Sequence, residues 1–221
     1  MWSTTKIIPS PYDEIADFKD GVFHFSFSQS VKWLESRGKD LFGPHFKVYP
    51  EDRGLLFILL VYAVGDKETA AKHGIDLQKG ILLAGPVGTG KSSLMTLVNF
   101  FFTKEKQYPI KPARETSFEF EQNGYKTINK YSRSSTVTNI FCFDDLGIEQ
   151  PQKYFGNECN VMAEILLSRY DLFVSKRILT HATTNLSATE LESKYGNRLR
   201  SRMREMFNLV AFDKNSRDKR N

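Results

Sequence analysis

Short apolar runs alternate with longer segments of helical periodicity between about residues 79 and 212. Short apolar runs predict buried strands, whereas apolar residues spaced three or four apart predict one face of a helix. The predicted strands are Gly80–Ala84, Tyr108–Pro112, Ile140–Phe143, Arg177–Thr183 and Asn208–Phe212. The predicted helices are Lys91–Phe102, Glu115–Gln122 and Asn157–Tyr170, with a loop over the polar residues 125–136. The alternation predicts an α/β fold in which helices cover both faces of a parallel sheet, with right-handed crossovers.

The residues before this region follow a mainly helical pattern. Aromatic residues alternate around Phe25, which suits a short strand, and helices are predicted over Gln29–Leu41 and from Pro50 to about Val64. Strand–helix alternation is absent from this part of the sequence. We therefore predict an N-terminal helical extension over residues 1–78 and one α/β core over residues 79–221.

The composition is that of an ordinary globular protein. Of the 221 residues, 40% are apolar and 26% are charged. Two cysteines, Cys142 and Cys159, are too few for a disulfide framework, and no Cys/His cluster predicts a metal centre. The first residues lack the apolar core of a signal peptide, and the longest apolar run, Leu55–Val64, is far shorter than the ~20 residues of a membrane span. We expect a cytoplasmic protein without membrane partners.

A phosphate-binding loop is predicted between the first core strand and the helix after it. The segment reads Gly85-Pro86-Val87-Gly88-Thr89-Gly90-Lys91-Ser92, with Ser93 next, and it matches G-x-x-x-x-G-K-[ST]. The glycines let successive N–H groups turn inward toward phosphate oxygens, and the helix presents its positive end to the same anion. Lys91 is expected to reach the β- and γ-phosphates, and the Ser92 hydroxyl to ligate Mg²⁺.

Polar side chains follow two of the other predicted strands. Ile140–Phe143 runs directly into Asp144 and Asp145, and Asn185 comes shortly after the strand Arg177–Thr183. Beside a phosphate loop, Asp144 is expected to hold a Mg²⁺-bound water, and Asp145 to orient or deprotonate the attacking water. Asn185 is expected to bond the γ-phosphate or that water. The alternative is that these residues have a purely structural role as caps at the ends of strands and helices.

Positive charge is concentrated at the far end of the sequence. Residues 194–221 contain nine Lys or Arg and three Asp or Glu, a local charge of +6 within a total of +5. Such a segment suits a polyanion such as DNA, but it equally suits intersubunit and nucleotide contacts. Arg198 and Arg202 are four apart and share one helix face, from which a guanidinium can reach a neighbouring subunit's γ-phosphate. Arg217 follows the last strand and is expected to reach the nucleotide of its own subunit.

Four motifs, in this order and spacing, resemble those of a known group of ATPases: GPVGTGKSSL, FCFDDLG, ATTNL and YGNRLRSRM. The chain resembles AAA+ ATPases of the DnaC-type helicase loaders and their IstB-type transposition relatives, over about residues 45–218. The resemblance implies a three-layer αβα P-loop fold with a five-stranded sheet in the order 5-1-4-3-2, ATP with Mg²⁺ as ligands, and self-association. It also implies a helicase or transposase partner.

The resemblance assigns roles to individual residues. Lys91 and Ser92 match the phosphate loop, and Asp144 and Asp145 match the metal and water carboxylates. The remaining assignments are Asn185 as the first sensor, Arg198 as the arginine finger and Arg217 as the second sensor.

Two departures from the pattern keep other functions open. Asp145 stands where the wider superfamily has Glu. The 36 residues after Asn185 are too few for the C-terminal helical lid that most of the superfamily carries, although the loader group also lacks this lid. A binding module with little turnover, or a small P-loop kinase, therefore remains an alternative. A GTPase is a further alternative, because Asp144–Gly147 fits DxxG, but the single Asn-Lys pair, Asn129-Lys130, is not followed by the N-K-x-D pattern that guanine recognition needs.

Overall fold

The computed structural model describes residues 12–132 and 140–220. Its N-terminal part consists of a short hairpin between helices, and the core follows. The elements up to residue 80 are α1 (Tyr12–Ile15), β1 (Ala16–Lys19), β2 (Val22–Phe25), α2 (Phe27–Phe42), α3 (Arg53–Val64) and α4 (Lys67–Lys72). The core elements are β3 (Gly80–Ala84), α5 (Lys91–Val98), β4 (Ile110–Pro112), α6 (Ala113–Asn123), α7 (Tyr125–Ser132), β5 (Phe141–Asp144), β6 (Gln152–Tyr154), β7 (Asn157–Cys159), α8 (Val161–Lys176), β8 (Thr180–Thr184), α9 (Ala188–Met206) and β9 (Phe207–Ala211).

The main sheet is parallel and has the order β4-β5-β8-β3-β9. When these five strands are numbered along the chain, the order read from the other edge is 5-1-4-3-2, which confirms the prediction. The strand β3 is buried on both faces, because Leu82 packs into one apolar cluster whereas Ile81 and Leu83 pack into the other. Three layers result, and the carboxyl ends of β3, β5 and β8 meet at one edge of the sheet.

The helices that precede the core share its apolar interior. Trp33 and Leu34 of α2 and Leu56 of α3 lie in the same cluster as Leu83 of β3 and Leu97 of α5. Asp76 and the side chain of Asn208 also exchange hydrogen bonds across 2.8 Å in both directions. The boundary at residue 79 stays a prediction, but α2 and α3 pack directly on the face that carries the phosphate loop.

Two local predictions are wrong. The predicted loop 125–136 contains the helix α7, because Ile128 and Tyr131 lie on one helical face and pack into the second cluster despite the polar residues around them. The part of that loop from residue 133 lies outside the described residues. The predicted helix Asn157–Tyr170 begins only at Val161, since the residues before it form the hairpin β6–β7. Asn160 caps α8 by accepting a 3.1 Å bond from the N–H of Ala163.

Residues 212–220, which follow β9, contain no helix. This stretch instead crosses the loop between β3 and α5, where the N–H of Lys219 donates to the carbonyl oxygen of Gly88 across 2.9 Å. Among the helices of the described ranges, none is long and apolar enough to cross a membrane.

Candidate nucleotide-binding site

The loop between β3 and α5 has the backbone that phosphate binding needs. Gly88 and Gly90 adopt φ values of 80° and 88°, a region that costs a residue with a Cβ ~1–2 kcal/mol. Glycine therefore allows the chain to turn tightly between the buried strand and the helix. α5 begins at Lys91, so the free N–H groups of its first turn open into the same concavity.

Lys91 is held inside this loop. Its side chain is 5% exposed, and its Nζ donates to the carbonyl oxygens of Gly85 and Pro86, each across 2.8 Å. Burial lowers the pKa of Lys91, and the nearby carboxylates of Asp145 and Asp144 partly offset that effect. The arrangement keeps a desolvated ammonium beside an anion site, where an arriving phosphate strengthens the charged form.

Asp144 lies at the end of β5 and joins three elements. Its Oδ1 accepts a 2.9 Å bond from Oγ of Ser92 and a 2.6 Å bond from Oγ1 of Thr183. A hydroxyl and a carboxylate oxygen in direct contact are the hard ligands that Mg²⁺ prefers, and Mg²⁺ usually takes only one or two carboxylates from a protein. Within the described residues no group of three or more His, Cys, Asp and Glu forms a metal centre. Ser92 and Asp144 thus fit a nucleotide-bound Mg²⁺.

Asp145 adopts a left-handed backbone conformation, with φ of 52°, which turns it out of the strand direction. Its N–H donates to Oγ1 of Thr183 across 2.9 Å, and its side chain lines the cavity above the phosphate loop. Burial raises the pKa of Asp145, and the neighbouring Asp144 raises it further, whereas Lys91 lowers it. A carboxylate with a raised pKa beside a phosphate site suits a proton acceptor.

Asn185 lies just after β8 and lines the same cavity. Its Oδ1 is buried and has no hydrogen-bond partner among the described residues. A buried unpaired acceptor costs free energy unless a ligand or water satisfies it. The unpaired oxygen therefore fits a side chain that bonds a water or substrate in the occupied site.

The cavity has a volume of about 640 Å³, and one of its walls was not foreseen from the sequence. Besides the phosphate loop, this wall comes from the segment between α2 and α3, with Phe46, Val48 and Tyr49 among its residues. Apolar and aromatic side chains suit the flat face of a nucleotide base. The available signal was the density of aromatic residues between positions 42 and 49.

Arg217 does not line the cavity, contrary to the sequence-based expectation for its own subunit's nucleotide. Its guanidinium lies 4.3 Å from the centre of the Tyr49 ring and 3.2 Å from a carboxylate oxygen of Glu51. The cations that do line the cavity from this segment are Lys219 and Arg220. The segment contacts the phosphate loop at Asp218 and Lys219, so Arg217 comes before these contacts.

Lys219 holds the segment after β9 against the phosphate loop. Its Nζ donates to the carboxylate of Asp52 and, across 3.1 Å, to the carbonyl oxygen of Thr89. A Cβ on Gly88 would lie 2.1 Å from the carboxyl carbon of Asp218, so the segment rests directly on the loop. Residues 217–220 therefore join the phosphate loop to the start of α3.

Arg198 lies away from this cavity. It is exposed on α9, which is broken at Gly196, where φ and ψ are 81° and 157°. Arg202 follows one turn later, with its guanidinium 4.8 Å from the centre of the Tyr170 ring. The structure therefore brings together Lys91, Ser92, Asp144, Asp145 and Asn185, and leaves Arg198 and Arg202 facing outward.

Comparison with known proteins identifies the fold. No protein-family model and no curated protein sequence matches the chain. The crystal structure of the DnaC helicase loader is 21% identical with a TM-score of 0.50, and the match covers 75% of this chain and 92% of that one. A putative primosome component from Streptococcus pyogenes serotype M3 is 20% identical with a TM-score of 0.51, and the match covers 75% and 82%. AMPPCP-bound DnaA from Aquifex aeolicus is 18% identical with a TM-score of 0.52, and the match covers 79% of this chain and half of DnaA. The chain therefore shares the fold of these structures.

Proposed function

We propose that this protein is an AAA+ ATPase that binds and hydrolyses Mg·ATP in DNA replication, as a helicase loader does, or in the transposition of a mobile element. One observation carries the proposal. One cavity is lined by an ammonium, a hydroxyl, a carboxylate and an unpaired amide oxygen, from Lys91, Ser92, Asp145 and Asn185. A second carboxylate, Asp144, accepts a hydrogen bond from Ser92. This combination matches the requirements of phosphoryl transfer to water, which depends on positioning and charge stabilisation.

Each residue has a distinct task in the proposed reaction. Lys91 and the loop N–H groups bind the β- and γ-phosphates, and Ser92 with Asp144 hold the Mg²⁺. The ion, when bound, neutralises charge that develops on the phosphate oxygens. Asp145 accepts a proton from the attacking water, and Asn185 orients that water through its unpaired oxygen.

The proposed role in DNA metabolism has support from the neighbours and from the charge of residues 194–220. A DnaA structure at 18% identity and a TM-score of 0.52 is described as a replication initiator bound to AMPPCP and single-stranded DNA. In this chain Arg198 and Arg204 are exposed on the second half of α9. We propose that this face serves self-association and DNA contact, and that a helicase or transposase is the protein partner.

Calorimetric titration with Mg·ATP, together with phosphate release, tests the nucleotide site. Lys91→Ala removes a buried ammonium from the phosphate site and is expected to weaken binding by about tenfold to a hundredfold. Lys72→Ala is the matched control, because Lys72 pairs with Glu68 on the exposed face of α4. Equal affinity for Mg·ATP in a folded Lys91→Ala variant would refute the site.

DNA binding needs a separate measurement. Neutralising DNA phosphates releases counterions, so affinity for an unspecific oligonucleotide should fall steeply with salt. Fluorescence anisotropy with single-stranded and duplex DNA, with and without an unhydrolysable ATP analogue, measures this slope. If neither DNA binds at low salt with the analogue present, DNA is not a partner.

A second candidate is a binding module that uses ATP as a ligand with little turnover. The short side chain of Asp145, in place of Glu, favours it. Phosphate release by the wild type, in the presence of DNA, decides between the two. A kinase has less support, because Arg169, the single arginine of α8, is buried and donates to Thr180 and to the carbonyl oxygen of Leu179.

A further inference from the structure

Glu149 is a buried carboxylate outside the set that lines the cavity. It is 2% exposed and lies four residues after Asp145. Its Oε2 accepts a 2.8 Å bond from the N–H of Gly147, and its Oε1 accepts a 2.5 Å bond from the hydroxyl of Tyr195. Burying a carboxylate is costly unless it is hydrogen-bonded, so this pair is a specific connection between the loop after β5 and α9.

The loop from Asp145 to Glu149 is tied to the end of β8. The N–H of Leu146 donates to the carbonyl oxygen of Thr183 across 2.8 Å, and the hydroxyl of Thr184 donates back to Leu146 across 2.7 Å. A Cβ on Gly147 would lie 2.3 Å from the side chain of Leu186, so the loop fits closely against β8. The loop between Asp145 and Glu149 is thus a short, closely packed connection with no slack.

The other end of the connection lies at the break in α9. Tyr195 is 8% exposed and immediately precedes Gly196, whose backbone is not helical. The direction of the second half of α9 depends on the φ and ψ angles of this glycine and on the position of the residue before it. Tyr195 fixes that point, and Arg198 lies three residues further on the exposed face. The carbonyl oxygen of Glu149 also accepts a hydrogen bond from Lys194, which holds the same end of the helix.

We propose that Glu149 and Tyr195 form a positioning link through which the loop of Asp145 sets the orientation of the Arg198 half of α9. This proposal rests on the proposed self-association and on the role that the sequence resemblance implies for Arg198, which is to reach a neighbouring subunit's γ-phosphate. A nucleotide that moves Asp145 shifts Glu149, and Glu149 moves Tyr195 and the start of the helix beyond Gly196. The subunit's own site would then control the arginine that it offers to its neighbour.

The chemistry of the pair suits a permanent link. Burial raises the pKa of the Tyr195 phenol well above its usual value, and the charge of Glu149 raises it further. The hydroxyl therefore stays protonated and donates at every pH at which the protein works. Apolar packing of Leu199 and Met203 holds the second half of α9 on the core, so the helix should stay folded when one hydroxyl is lost.

Tyr195→Phe removes only the hydroxyl and is the test variant. We expect unchanged Mg·ATP affinity by calorimetry and a fall of about tenfold in turnover. A tenfold change corresponds to the free energy of one buried hydrogen bond to a charged group. Tyr170→Phe is the matched control, because Tyr170 also donates to a glutamate of α9, Glu205, across 2.8 Å, but on the exposed side. The control is expected to keep wild-type turnover.

Assemblies mixed from two variants show whether the link acts on the subunit's own pocket or on the pocket of its neighbour. Tyr195→Phe retains an intact pocket, so mixing it with Lys91→Ala, which supplies an intact Arg198, should restore part of the activity. If the mixture has no more activity than Tyr195→Phe alone while light scattering shows normal assembly, Tyr195 acts within its own pocket and the proposed link is wrong. If Tyr195→Phe alone has wild-type turnover, the proposed link is wrong as well.

Amide hydrogen exchange separates this inference from the function on which it rests. Binding of an unhydrolysable ATP analogue should change the exchange of residues 197–200 in the wild type and leave it unchanged in Tyr195→Phe. This readout does not require turnover. If Arg198→Ala keeps wild-type turnover, the trans role is refuted, and exchange alone then decides whether the link exists. An equal change in both proteins would refute the link.

Discussion

The hydroxyl of Thr183 donates a 2.6 Å hydrogen bond to Oδ1 of Asp144, at the edge where β8 and β5 end side by side. The oxygen of the same hydroxyl accepts a 2.9 Å hydrogen bond from the N–H of Asp145. One side chain on β8 therefore orients both carboxylate residues, and Asp144 in turn contacts Ser92 of the phosphate loop. The two carboxylates consequently have different surroundings, and their substitutions should have different effects.

Asp145→Asn should keep Mg·ATP binding and lose turnover, because the amide keeps the shape and cannot accept the proton from water. We expect a loss on the order of a hundredfold or more, as for removal of a general base. Asp144→Asn should also weaken Mg²⁺-dependent binding, since its oxygen contacts Ser92. Calorimetry with and without Mg²⁺, and phosphate release, measure both effects. Identical binding and turnover in the two variants would contradict the separate roles.

The pH dependence follows from the raised pKa of Asp145. Turnover should fall on acidification at a higher pH than an ordinary aspartate, with its pKa of ~3.9, would produce. A carboxyl with a raised pKa in the folded state contributes stability at low pH, which is lost as the pH rises through that pKa. Asp145→Asn should therefore raise the melting temperature at pH 7 and leave it unchanged at pH 3. A lower melting temperature at pH 7 would contradict this sign.

Arg220 and Arg217 provide a matched pair in the segment that crosses the phosphate loop. Arg220→Ala should weaken ATP binding about tenfold and ADP binding less, because its charge faces the cavity. Arg217→Ala should leave both affinities unchanged, since its guanidinium lies over Tyr49 and pairs with Glu51. Calorimetry with each nucleotide measures the difference. The reverse ranking would return the second-sensor role to Arg217.

Arg198→Ala should bind ATP normally and hydrolyse it slowly. An arginine supplied to a neighbouring subunit contributes on the order of 10³ or more in rate in related enzymes. Mixing Arg198→Ala with Lys91→Ala should restore partial activity, because one subunit supplies the guanidinium and the other the intact pocket. If the mixture is inactive although both variants assemble, Arg202 should be tested in the same way.

Alanine substitutions at Gly88 and Gly90 test whether residues 213–220 rest on the phosphate loop. Alanine at either position incurs ~1–2 kcal/mol for the left-handed backbone, or roughly 2–8 °C in melting temperature. Only at Gly88 would the added Cβ meet Asp218, whereas at Gly90 no atom lies within 4 Å. Gly88→Ala should therefore be the less stable variant, and Asp218→Ala should remove the excess. Equal melting temperatures in thermal scans of the nucleotide-free protein would argue against the crossing.

Local sequence determined the sheet and the centre of the site. Three features depend only on residues close together in the sequence: the apolar runs, the glycine pattern of residues 85–90 and the carboxylates after β5. Their periodicity and backbone requirements can therefore be recognised from the sequence itself. For the same reason the sequence predicted that Lys91, Ser92, Asp144 and Asn185 meet, because parallel strands end at one edge of the sheet.

Only the tertiary structure decided which distant residues complete that site. Tyr49 and Phe46 enter the cavity through the packing of α2 and α3 on the core, and Arg220 rather than Arg217 lines it. The helix α7 is stabilised because Ile128 and Tyr131 pack into the second apolar cluster, although the polar residues around them favoured a loop. Burial against residues far away in sequence is a property of the whole fold, and it overrides local propensity wherever the local signal is weak.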